Sequence, residues 1–283
     1  MKKLKKINQG NSKKNPKKAA IAMTALAVFF PLLTGVIFFI FLSKTNQNEN
    51  KKLALASSSA HPSLAKHEVV GDLGGISVRI PSHFAKYAEY EGDPGWSGKR
   101  IGPTPIRDTK SKLVSFGFDI RYPDMAGLSS PDLRKNKEAF SIFNTPWLRG
   151  IVTTGVNFGD GGFLQRMSES MGKMGSLQFE KQKEKQFGLE VYTPIGVDPQ
   201  TRNPQKHIDD DKDLYIFRDE NGVVQTYIEC TNINHDAAPC KQFFFLLPRA
   251  KAKITLSYRR GLLSEWKQMQ DSVGQLILGF ESR

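Results

Sequence analysis

Val114-Ser115-Phe116-Gly117-Phe118-Asp119-Ile120-Arg121-Tyr122 alternates without a break: Val114, Phe116, Phe118, Ile120 and Tyr122 stand at every second position, with Ser115, Gly117, Asp119 and Arg121 between them. A period of two puts the apolar side chains on one face of an extended chain, so the segment predicts a half-buried strand, ended by Pro123. Upstream, structure is expected from about Val69, and Ile76, Val78 and Ile80 repeat the pattern up to Pro81. Tyr90 to Pro105 (YEGDPGWSGKRIGPTP) holds four glycines and three prolines and predicts a loop. Downstream, Trp147 to Val156 is rich in β-branched residues, Phe163 to Lys173 has a helical pattern, and Leu189 to Thr193 is a short strand. Leu214–Arg218 and Val223–Cys230 flank Asn221-Gly222, a tight-hairpin signal, and Lys241–Leu247 with Ala252–Arg259 forms a second hairpin around Pro248.

The last element changes period. Leu262, Trp266, Met269, Val273, Leu276 and Phe280 recur at spacings of four and three, opposite Lys267, Gln268, Gln270, Asp271 and Gln275. Strands followed by an amphipathic C-terminal helix predict an α+β class with a largely antiparallel sheet.

A second kind of pattern occupies the N-terminus. Ala19 to Ser43 is a run of 25 residues without an ionisable side chain, preceded by eight lysines within residues 1–18. Such a run is long enough to cross a bilayer as one helix. The retained positive charge predicts that residues 1–18 are a basic cytoplasmic tail and the rest is exported. The polar stretch 44–66 is expected to be a flexible linker, and 67–283 a periplasmic α+β domain. The expected location is therefore the bacterial inner membrane, single-pass, with 19–43 as an uncleaved signal anchor. Ala54-Leu55-Ala56 has the form of a signal-peptidase site, but the apolar run exceeds a signal core and Lys51 and Lys52 intervene. No cysteine stands just after the run, where a lipid attachment would need one.

The formal charge is +13, of which the leader's lysines carry eight. The remainder is mildly basic, so a nucleic-acid partner is not expected. The two cysteines, Cys230 and Cys240, lie in the exported part and are expected to form a disulfide; two free thiols are the alternative. With His235 they supply too few ligands for zinc.

Signatures of catalysis are scarce. Gly95-Trp96-Ser97-Gly98 has the wrong glycine spacing for a nucleophile elbow, and no H-E-x-x-H or phosphate-binding loop occurs. Gly159-Asp160-Gly161-Gly162 lacks the dinucleotide fingerprint. Asp209-Asp210-Asp211 lacks the alternation and turn glycine of a calcium loop. Glu89, Glu91 and Asp93 contain the chemistry of an acid–base pair, though sequence does not show that any two converge. The expectation is a protein that is not an enzyme, with no catalytic residues, metal, cofactor or small-molecule ligand. A partner-binding loop is expected at Glu91, Asp93, Trp96, Lys99 and Arg100, where an aromatic sits among both charge signs. The alternative is a loop folded over its own sheet with Trp96 in the core.

Val70-Gly71-Asp72-Leu73-Gly74-Gly75 through Arg79-Ile80-Pro81, Tyr90 to Pro94, Ser115 to Met125 and Tyr192-Thr193-Pro194-Ile195-Gly196 together resemble a family of membrane-anchored periplasmic proteins of Gram-negative bacteria, encoded beside type VI secretion effectors that are often lipases. The resemblance spans roughly residues 69 to 260. It implies an immunity protein whose partner is a secreted toxin. Two other classes stay open: an accessory subunit of an envelope or secretion complex, and a periplasmic hydrolase.

Overall fold

The computed structural model describes residues 68–95, 98–99, 101–158, 160–171, 178–205, 211–233 and 235–282. The expected tail, anchor and linker lie outside the described residues, as do Trp96, Arg100 and the stretch 207–210. Among the described residues no helix is long and apolar enough to cross a membrane.

Strands β1 (Glu68–Leu73) and β2 (Ile76–Pro81) form a hairpin paired from Glu68↔Pro81 to Leu73↔Ile76. Its two-residue turn requires positive φ at both Gly74 and Gly75, +63° and +106°. Gly74 is further restricted, because a Cβ there would stand 2.5 Å from the Lys251 carbonyl oxygen.

Then follow β3 (Lys86–Tyr90), β4 (Leu113–Arg121), the two-residue β5 (Ala126–Gly127), α1 (Pro131–Ala139) and β6 (Trp147–Thr153). After them come α2 (Phe163–Glu169), β7 (Gln178–Lys181), β8 (Glu190–Ile195), β9 (Lys212–Arg218) and β10 (Val224–Thr231). The chain closes with β11 (Pro239–Phe245), β12 (Lys253–Arg259) and α3 (Trp266–Leu278). Among the described residues the main sheet has ten strands in the order β3-β4-β6-β12-β11-β10-β9-β8-β7, with β5 on β4, and its paired strands run antiparallel. The expected α+β class, largely antiparallel with a terminal helix, is the observed one.

One face of this sheet carries the main core. Phe116, Phe118 and Ile120 of β4, Leu148 and Val152 of β6, and Ile254 and Leu256 of β12 are at most 1% exposed. Trp266, Met269, Val273 and Ile277 of α3 pack onto them, as do Ile76, Val78 and Ile80 of the hairpin. Beyond α3 the chain runs along β2: Arg79 N–H donates to Phe280 O and Ser282 N–H to Ser77 O. The buried side chain of Gln242, in β11, ties the layers. It accepts from the Tyr258 hydroxyl at 2.9 Å and donates to Gln270 Oε1 at 2.9 Å and to the Trp266 carbonyl at 3.3 Å.

Several expectations shift in detail. The helical stripe follows Trp266-Met269-Val273 but continues at Ile277, fully buried, while Leu276 is half-buried; α3 stops before Phe280. A strict four-three alternation drifts around a straight helix, so the core side moves on by one residue. β6 ends at Thr153, because Gly155 at φ +62° turns the chain into a short 3-10 helix. The Asn221-Gly222 turn closes a three-residue loop, with Asp219 N–H donating to Val223 O and only Gly222 at positive φ. β3, β5, α1 and β7 are additional to the expected set. α1 is capped by Ser130, whose Oγ accepts from Leu133 N–H at 3.2 Å, and begins at Pro131. β3 is irregular, with shifts in register and Tyr87 at φ 52°, which hides its period.

Candidate partner-binding surface

The loop expected to bind a partner leaves β3 at Tyr90. Asp93 folds it back: one carboxylate oxygen accepts from Tyr90 N–H at 2.9 Å and the other from the Arg107 guanidinium at 2.5 Å. That guanidinium lies 4.4 Å from the Tyr90 ring centroid, and the Tyr90 hydroxyl donates to Val70 O at 2.7 Å. Burial pushes the Tyr90 phenol above its ordinary range, opposed by Arg107. Asp93 is thus committed to shaping the loop.

Glu91 and Asp93 both line a cleft of about 700 Å³, with Glu89, Val114, Val156 and Phe158 among its other walls. Lys99 is exposed, and Trp96 and Arg100 fall outside the described residues. On the rim, Lys112 bonds Asp72 at 2.5 Å. Burial alone would raise the Asp72 carboxyl, but Lys112 and the Gly75 N–H hold it below the usual range. Glu89 accepts from Ser115 Oγ at 3.1 Å. The cleft is therefore an apolar floor within a rim of charges, most of them already paired, a geometry for holding a partner's side chain.

A second concavity, about 550 Å³, lies where β9 meets the turn before α3. Arg260 bridges Asp213 and donates to the Tyr215 hydroxyl at 2.9 Å. Burial raises the Tyr215 phenol, with Arg260 pulling it down. The group is a structural ion pair clamping the start of the terminal helix to the sheet. Among the described residues no cluster of three His, Cys, Asp or Glu side chains could hold a metal ion.

Cys230 and Cys240 are joined in a disulfide, as expected from the sequence. They are register partners on β10 and β11, both fully buried, so the bond closes the connection between the two hairpins at its base.

The architecture has the fold of a secretion-system immunity protein. The structure of Smlt3025, an immunity protein of the Stenotrophomonas maltophilia type IV secretion system, superimposes with a TM-score of 0.50 at 17% identity, covering 80% of this chain and all of that one. The iron-regulated outer membrane lipoprotein FrpD of Neisseria meningitidis aligns with a TM-score of 0.40 at 12% identity, over 77% of this chain and 94% of that one. No family model and no curated protein matches the chain.

Proposed function

We propose that this chain is an inner-membrane-anchored periplasmic immunity protein that binds and neutralises a secreted antibacterial toxin. The observation that carries the reading is the fold, shared along the whole length of an immunity protein. The resemblance of the Ser115–Met125 and Tyr192–Gly196 segments to proteins encoded beside type VI effectors makes a lipase-like toxin the proposed partner class. The apolar run 19–43 would hold the domain at the membrane that such a toxin attacks. A linker of residues 44–66 with coil statistics reaches roughly 25 Å, which keeps the inhibitor at high effective concentration where it is needed.

The test is co-expression. The neighbouring secreted-effector gene is directed to the periplasm with and without this protein, and survival and complex formation are scored. Protection with a one-to-one complex by calorimetry is expected. Equal killing with no complex ends the reading and leaves the envelope-complex subunit in its place. Protease treatment of spheroplasts checks the topology: the domain should be removed, and full protection, or a mature N-terminus near Ser57, would overturn it.

A further inference from the structure

Among the described residues, the sheet face opposite the core is open along its centre. One register row runs Asp119–Arg149–Ser257–Lys241–Glu229–Leu214 across six strands, and the next runs Gly117–Ile151–Thr255–Phe243–Tyr227–Ile216. The far end of both rows is covered by α2: Leu164 packs with Leu214, Ile216 and Tyr227. The near end lies beneath α1, where Lys137 bonds Asp119 at 2.7 Å and the Trp147 indole N–H donates to Asn136 at 3.2 Å. Between the two helices β6, β12 and β11 form a floor, on which Ile151 is 44% exposed and the Arg149 side chain 75%.

The floor carries excess positive charge. Lys86, Lys137 and Arg149 all approach the single buried carboxylate of Asp119, with Arg149 at 3.6 Å. Lys241 is exposed beside Glu229. Lys253 has no carboxylate partner among the described residues; its ammonium stands 4.6 Å from the Phe163 ring centroid, and burial depresses its pKa. At the α1 end, Phe140 and Ile142 wall a pocket of about 370 Å³ against Arg149, Ser257 and Arg259. Exposed apolar groups beside cations that outnumber their carboxylates, with aromatic walls, are the make-up of an interface centre.

We infer that this trough docks an acidic, protruding helix or loop of the neutralised toxin, with Arg149, Lys241 and Lys253 meeting its carboxylates and Ile151 at the apolar centre. The inference rests on the immunity reading. Its occupant follows from charge and shape. The surplus cations call for carboxylates. Two strand spacings of about 4.8 Å give a floor roughly 10 Å wide, the width of one helix. Helices standing on both sides keep a planar lipid surface off it.

The full chain, purified in detergent, is titrated with the purified product of the adjacent effector gene. Arg149→Glu/Lys241→Glu, with folding checked by an unchanged circular-dichroism spectrum because each new carboxylate stands near Asp119 or Glu229, should weaken the complex at least about 30-fold, mainly through faster dissociation. Adding Lys253→Glu should deepen the loss, and Ile151→Arg alone should cost about 10-fold. Glu91→Lys, in the cleft beside β3, should stay within about threefold. If the wild type binds and the double reversal stays within twofold, the trough is not the interface and the immunity reading survives. Loss with Glu91→Lys alone moves the interface to the cleft. If the wild type forms no complex, both readings fall. Binding to phosphatidylglycerol vesicles that the double reversal abolishes, with toxin affinity unchanged, would reassign the trough to lipid.

Discussion

Phe118 lays its ring over Gly150, its register partner on β6: a Cβ on Gly150 would stand 1.9 Å from Phe118 Cζ. The glycine is there for lack of a side chain, since its φ is not in the left-handed region. Gly150→Ala must therefore displace a ring that is 1% exposed, and should destabilise the domain by about 3 kcal/mol in urea denaturation. Phe118→Leu in the same chain should recover part of that loss; a Gly150→Ala variant as stable as wild type would mean the ring is not held there.

Trp266 anchors the terminal helix. It is 4% exposed, its indole N–H donates to Phe187 O at 2.9 Å, and its ring lies 5.4 Å from that of Phe217. Trp266→Asp should cost about 4 kcal/mol or more, because a cavity and an unpaired buried charge are created together. Trp266→Phe, which loses mainly the hydrogen bond, should cost about 1–2 kcal/mol. An unchanged melting temperature for the aspartate would show an unpacked helix.

The Tyr122 hydroxyl donates to Glu265 Oε2 at 2.6 Å, joining the end of β4 to the turn before α3. Burial first, then the Glu265 carboxylate, pushes the Tyr122 phenol up to about 12. The folded state thus favours the protonated phenol. Its contribution is fully present below the ordinary value near 10 and is lost as pH rises from there towards 12. Tyr122→Phe should lower stability at pH 8 by about 1–2 kcal/mol and flatten the alkaline decline between those values. Parallel pH profiles for variant and wild type would contradict the assignment.

The disulfide should be measurable before reduction as a mass two hydrogens below that of the dithiol. Cys230→Ala/Cys240→Ala should cost about 3 kcal/mol, from the entropy of the reopened loop. Two alkylatable thiols in the unreduced protein would refute the bond.

Asn136, Trp147 and Asp119 show why part of the surface was illegible. Ser130-Pro131-Asp132 is a helix start that could have been read, but nothing local says that the helix it opens would place Lys137 on Asp119 and Asn136 on Trp147. The expected contact loop was legible as a loop, and two of its members do face a cleft. The role of Asp93 was not, because its partner Arg107 lies fourteen residues away.

What sequence determined by itself is everything carried by neighbours in the chain. That covers the period of two in β2 and β4, the glycine turn at Gly74-Gly75, the amphipathic stripe of α3, and the disulfide, whose cysteines bracket one connection. Tertiary structure alone decided the strand order. β12 lies between β6 and β11, and β6 between β4 and β12, because burying the apolar face and pairing each backbone group is a condition on the whole sheet. It also decided which polar groups are internal. Gln242 reads in sequence as a surface residue, yet it is fully buried because Tyr258 and Gln270, brought from a neighbouring strand and the terminal helix, satisfy its amide. The trough between α1 and α2 belongs to the same class: its cations come from five separate elements, so their surplus exists only once the sheet has assembled.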